Sequence, residues 1–121
     1  MKDYEFEFQK KFDFEKRQLE ASRIREKYPN RIPIILEKNA DCKTIEDIDK
    51  KKFLVPNDLT MGQFQYVVRK RLKTLNSDQG LFFFIDNTMP SVNQLLVQLY
   101  DAHKNDDGFL YVVFSGENTF G

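Results

Sequence analysis

"KFLVPNDLTMGQFQYVVRKRLKTL", residues 52–75, sets a short strand directly before a long helix, and this pairing decides the fold. "KFLVP" (52–56) is apolar after its lysine and is closed by Pro56, which suits a short strand that stops abruptly. The helix that follows carries its own start signal. Thr60 and Gln63 have capping-box spacing, and Leu59 with Phe64 brackets them as a hydrophobic staple. Phe64, Val67, Val68, Leu72 and Leu75 then recur at helical spacing and are expected to face a core.

Upstream, "RIPIILEK" (31–38) reads as a buried strand from Ile32 to Glu37. The polar connection "NADCKTIEDIDKK" (39–51) leaves room for a helical turn from Ile45 to Ile48. Downstream, "LFFFI" (81–85) is a third strand. Ser91 and Gln94 repeat the capping-box spacing ahead of Leu95, Leu96, Leu99 and Tyr100, which predicts a second core helix. "NDDG" (105–108) is a turn signal leading into a fourth strand, "FLYVVF" (109–114).

At the amino end the alternation of Tyr4, Phe6 and Phe8 suits a strand, whereas Tyr4, Phe8 and Phe12 share one helical face, so period alone does not decide. From Phe14 to Tyr28 good helix formers dominate and Pro29 supplies a stop. We read two short helices here. The order ααββαβαβ is that of an α+β, ubiquitin-like β-grasp with two additional N-terminal helices. The expected organisation is a helical pair over 1–28, the β-grasp over 29–115 and a flexible tail over 116–121.

A chain of 121 residues is large enough for one core and too small for two. Its 40% hydrophobic content confines expected disorder to the ends. Nineteen basic and nineteen acidic residues cancel, so no global field favours nucleic acid, and none is expected as a partner. The single cysteine, Cys42, fits a reducing compartment and reads as a buried or loop thiol. No apolar run approaches the roughly 20 residues that span a bilayer, and a cytoplasmic location is expected.

The residue types needed for catalysis are not assembled. Ser115 lacks a nucleophile elbow, one histidine (His103) with one cysteine cannot close a zinc site, and Asp106 with Asp107 belongs to the turn. We expect no enzyme, cofactor or metal. Arg69, Lys70 and Arg71 read as a solvated helix face. Lys50, Lys51 and Lys52 are more informative, because they run into the strand: lysines protect an open sheet edge from unwanted pairing and attract an acidic peptide. Lys52 and Leu54 should project to one side of that strand, Phe53 and Val55 to the other.

"FEKR" (14–17), "KYPNRIPIILEK" (27–38), "DKKKFLVPNDLTMGQFQYVVRKRL" (49–72), "LFFFI" and "DGFLYVVFSGENTFG" (107–121) together resemble the autophagy ubiquitin-like modifiers of the GABARAP type, in order, from about Phe14 to Gly121. The resemblance implies a modifier without an active site of its own. Its carboxyl-terminal glycine, here Gly121, is adenylated by an activating enzyme and passed as a thioester to a conjugating enzyme. It is then joined to the amine of phosphatidylethanolamine, which moves the protein from cytoplasm to autophagosomal membrane. Phe120 is the bulky handle those enzymes would grip. Most family precursors extend past this glycine until a dedicated cysteine protease trims them, and the protease also delipidates the conjugate; the present sequence ends on the glycine.

The resemblance also implies recruitment of cargo receptors and adaptors through aromatic-x-x-aliphatic motifs. The aromatic pocket would involve Glu20, Ile24, Pro33, Lys52, Leu54 and Phe109. The aliphatic pocket would involve Phe53, Val55, Pro56, Leu59, Phe64 and Val67, with Arg31 and Arg71 nearby for acidic contacts. A second docking surface of the family uses the region of Phe82, Phe83 and Phe84, for which core packing is the plainer expectation. The amino end is longer and richer in phenylalanine than the family pattern, and Tyr4, Phe6 and Phe8 are expected to pack on the β-grasp rather than enter lipid. The alternative function is a non-covalent peptide-binding adaptor in membrane trafficking.

Overall fold

The computed structural model describes residues 4–117. Its elements are α1 (Glu7–Lys11), α2 (Phe14–Lys27), β1 (Arg31–Lys38), β2 (Lys52–Pro56), α3 (Met61–Arg71), β3 (Phe82–Phe84), α4 (Leu96–His103) and β4 (Leu110–Ser115), in the expected order. The strands lie in the sheet order β2-β1-β4-β3. β1 and β2 form an antiparallel hairpin with Ile34 opposite Phe53. β4 runs parallel to β1 and antiparallel to β3.

Both faces of the sheet are covered, which explains why "IPIIL" in β1 is continuously apolar rather than alternating. Ile32, Ile34 and Leu36 turn inward with Phe53, Val112 and Phe114, and meet Phe64 and Val68 of α3 and Leu96 and Leu99 of α4. On the other face Ile35 and Phe109 form a smaller core with Phe8 of α1 and Ala21 of α2, and Phe6, Phe12, Ile24 and Tyr111 pack against it. Phe6 and Phe8 thus pack on the sheet as expected.

The helix signals hold where they are local. Gln63 N donates to Thr60 Oγ1 at 3.1 Å and Thr60 N to Gln63 Oε1 at 2.9 Å, completing the box at the start of α3. The exit differs: α3 ends at Arg71, Leu72 N turns back to Arg69 O, and Leu75 reaches the core from the following loop. Val67 is also corrected. It lies beyond the margin of the stripe traced by Met61, Phe64, Val68 and Leu72, and is 41% exposed.

α4 begins at Leu96 rather than just after Ser91. Ser91 N does donate to Gln94 Oε1 at 3.0 Å, but this closes only a turn, because Thr60 and Leu95 form a bridge that holds the segment extended. Leu95 has no acceptor to cap α4, so only the return half of a box forms, with Leu95 N donating to Gln98 Oε1 at 2.9 Å. No helical turn forms at 45–48. Ile45 and Ile48 instead enter the main core separately from an irregular loop. The Cys42 thiol in the same loop is buried, and Gly116 N donates to its Sγ at 3.3 Å. A Cβ on Gly116 would press on the side chains of Thr44 and Ile45, which would have to shift to admit it.

Two buried carboxylates pin the helical pair to the sheet. Glu37 of β1 accepts from Glu7 N at 2.8 Å, Phe8 N at 3.0 Å and the Tyr4 hydroxyl at 2.8 Å. It therefore caps α1, whose own N-cap residue, Phe6, offers no acceptor. Asp107 accepts from Arg17 Nε of α2 at 2.9 Å, from Phe109 N at 2.9 Å and from the Tyr111 hydroxyl. The turn reading of Asp107 is correct but incomplete, since its carboxylate is a buried junction.

Burial first, and then hydrogen bonding to Glu37 and Asp107, push the Tyr4 and Tyr111 phenols well above their ordinary 10.0. The folded state therefore retains protons that the unfolded chain releases above that value, and stability must fall as pH rises. Urea midpoints are expected to be independent of these groups up to about pH 10 and to decline above it, with a shallower decline in Tyr111→Phe. An equally steep decline in that variant would refute the assignment.

Candidate peptide-binding edge

β2 has β1 as its one neighbour among the described residues, so its other edge is open. Burial follows the expected alternation: Phe53 and Val55 are buried, Lys52 and Pro56 are exposed and Leu54 is half-buried. The lysines before it are weakly held: Lys51 lies 3.5 Å from Asp47 in an exposed pair, and Lys50 sits over the ring of the buried Phe53 at 5.0 Å. Lysines placed this way deter pairing with another strand edge.

The six residues of the aromatic set come together between α2 and the outer side of the hairpin. Glu20 and Ile24 share one face of α2 at i, i+4 spacing. Lys52 Nζ bonds Glu20 Oε2 at 2.8 Å, Pro33 stands opposite Leu54, and Ile24 packs against the smaller core. Phe109 is buried in that core, so it can serve as a floor but offers no open surface.

The aliphatic set divides. Phe53 and Phe64 are buried and meet edge-to-face at 5.5 Å, and Val55 is buried with them. What remains open is Pro56, Val67 and part of Leu59. The two arginines lie at opposite ends of the edge. Arg31 stands opposite Pro56 with its guanidinium over Tyr28 at 5.7 Å, while Arg71 makes two 3.3 Å contacts to Asp49, three residues before Lys52. Gly121 and Phe120 lie outside the described residues.

Two neighbours of this site escape sequence reasoning. Lys52 Nζ lies 5.1 Å from the Phe8 ring centre and 5.8 Å from that of Phe12, and Phe8 meets Phe109 edge-to-face at 5.2 Å. A cavity of about 560 Å³ opens beside them, lined in part by Phe8, Phe12, Ile35, Lys51 and Lys52. The helical spacing of Phe8 and Phe12 is visible in the sequence, but nothing in it shows that they meet β2.

A β1–β2 hairpin, a helix packed across it and a central strand parallel to β1 define a ubiquitin-like protein, here with a helical pair placed before the first strand. No helix among the described residues is long and apolar enough to cross a membrane. Residues 16–121 match the family model of the autophagy protein Atg8, ubiquitin-like. Autophagy-related protein 8e of Arabidopsis thaliana is 57% identical over 109 residues, covering 90% of this chain and 88% of that protein. Autophagy-related protein 8 of Schizosaccharomyces pombe is 56% identical over 115 residues, covering 95% and 93%. The crystal structure of Trypanosoma brucei ATG8 superposes with a TM-score of 0.87 at 41% identity, over 97% of this chain and 99% of that one. This chain belongs to the Atg8 family of autophagy ubiquitin-like proteins.

Proposed function

We propose that this protein is conjugated through Gly121 to phosphatidylethanolamine on autophagosomal membranes, and that its β2 edge recruits receptors and adaptors bearing an aromatic-x-x-aliphatic motif. One observation carries the recruitment reading: Leu54 is a half-buried apolar side chain on an open, lysine-flanked edge, next to the Glu20–Lys52 pair. An extended peptide pairing with β2 would satisfy its backbone there. Its aromatic residue would enter between α2 and Leu54, and its aliphatic residue would rest on Pro56, Leu59 and Val67. Acidic neighbours would meet the lysines.

Conjugation needs no catalytic group from this chain. An activating enzyme and ATP convert the Gly121 carboxylate to an acyl adenylate with release of pyrophosphate, cysteine thiolates of the activating enzyme (displacing AMP) and then of the conjugating enzyme carry it as a thioester, and the lipid amine displaces the last thiol to leave an amide. A cysteine protease would reverse the attachment by hydrolysis. The protein would be cytoplasmic before conjugation, and the tail, expected over 116–121, would serve from beyond Gly116, which Cys42 holds.

Titration with a fluorescent acidic aromatic-x-x-aliphatic peptide is expected to give a Kd on the order of micromolar, because little surface is buried and the peptide must be ordered. Leu54→Ala should weaken it about tenfold while leaving thermal stability nearly unchanged. Equal affinity of the variant and the parent would overturn the site.

A further inference from the structure

We infer that Glu37, which lies outside the peptide edge, is a positioning residue for it: by docking α1 it holds Phe8 and Phe12 against Lys52 and so sets the affinity for the motif's aromatic residue. The inference rests on the peptide-edge reading above. It begins from the shortness of α1. Five residues cannot sustain a helix in water, and α1 has no N-cap side chain of its own. The acceptors for Glu7 N and Phe8 N come from the single buried carboxylate of Glu37, which also fixes the Tyr4 hydroxyl in front of the helix.

From α1 the contacts run on to the edge. Lys52 has a long, flexible stem, and its ammonium is held from three directions: by Glu20 Oε2 of α2 and by the Phe8 and Phe12 rings of the α1 segment. Phe8 in turn rests on Phe109, the floor beneath the aromatic set. Undocking α1 removes two of the three restraints on Lys52 and one neighbour of that floor. A peptide would then have to order these groups as it binds, and the ordering cost appears as lost affinity. Sequence changes within residues 4–12 would tune receptor affinity without contacting the receptor.

The test uses the full chain carrying Glu37→Gln, whose amide retains one acceptor oxygen but turns an NH2 group toward donors. Phe8→Leu, which keeps apolar volume and loses the ring face, is the second variant. Three quantities are read: peptide Kd, hydrogen-exchange protection of the Phe8 amide, and Tm. For Glu37→Gln we expect lost protection at Phe8 and a Kd about tenfold weaker, for Phe8→Leu a similar Kd, and for the double variant no further loss, because both act on one contact chain. Parent-like Kd in Phe8→Leu, parent-like Kd with α1 undocked, retained protection in Glu37→Gln, or additive losses would each overturn the inference. If Glu37→Gln does not fold, the Kd of Phe8→Leu decides alone. A lower Tm with unchanged Kd identifies a purely structural role and also overturns it. A parent protein that fails to bind the peptide refutes the edge reading itself, an outcome distinct from binding that is indifferent to Glu37.

Discussion

Replacing Asp107 with alanine is expected to cost about 3–5 kcal/mol of folding stability, the range for leaving one partner of a buried ion pair uncompensated. The Asp107 side chain is fully buried and that of Arg17 is 11% exposed. Without the carboxylate, the guanidinium keeps only the neutral acceptors Phe12 O at 2.8 Å and Gln9 O at 3.3 Å. Phe109 N and the Tyr111 hydroxyl lose their acceptor as well. The pair itself need contribute little, since desolvation offsets its attraction; the penalty comes from stranding the charge. Arg17→Met in the Asp107→Ala background should therefore recover part of the loss in urea unfolding. A single-variant cost below about 1 kcal/mol would show that water reaches Arg17 and that the junction is not dry.

Gly121→Ala is expected to reduce lipid conjugation by at least about a hundredfold, because a methyl group at the acyl carbon's neighbour displaces the reacting carboxylate from enzyme groups that must approach it closely. The assay is reconstitution with the family's activating and conjugating enzymes, ATP and phosphatidylethanolamine liposomes. Peptide affinity is expected not to change, since residue 121 is not among the residues assigned to the peptide pockets. Parent-level adduct from the variant would remove Gly121 from the role. If a control protein is conjugated and the parent is not, the conjugation reading fails and the non-covalent adaptor reading takes its place.

Much of this architecture is written in short-range chemistry. The α3 cap is legible because Thr60 and Gln63 are three residues apart, and the edge strand because lysines precede an alternation of buried and open side chains. The α4 start is not, because Thr60 and Leu95 meet only in the folded chain. Val67 fails for a geometric reason: apolarity at near-helical spacing does not say which margin of a stripe the core reaches. The two pinning carboxylates are the least legible. Glu37 bonds an amide 29 residues away and Asp107 a guanidinium 90 away, so Glu37 passes for part of a strand and Asp107 for part of a turn. Of the candidate site, the side-chain directions along β2 were readable, but the arrival of Phe8 and Phe12 at Lys52 depends on Glu37.

The bond between Gly116 and Cys42 limits how far the domain could stand from anything attached to its last residue. Gly116 is held against the loop by the thiol and by close packing on Thr44 and Ile45, so any reach toward an attached group is counted from beyond it. The five residues from Glu117 to Gly121 span at most about 18 Å when fully extended. A lipid amide at Gly121 would leave the domain skimming the headgroups, with its peptide edge confined to a thin layer above the bilayer. Receptors caught there would search in two dimensions, where even micromolar contacts accumulate once several copies share one membrane.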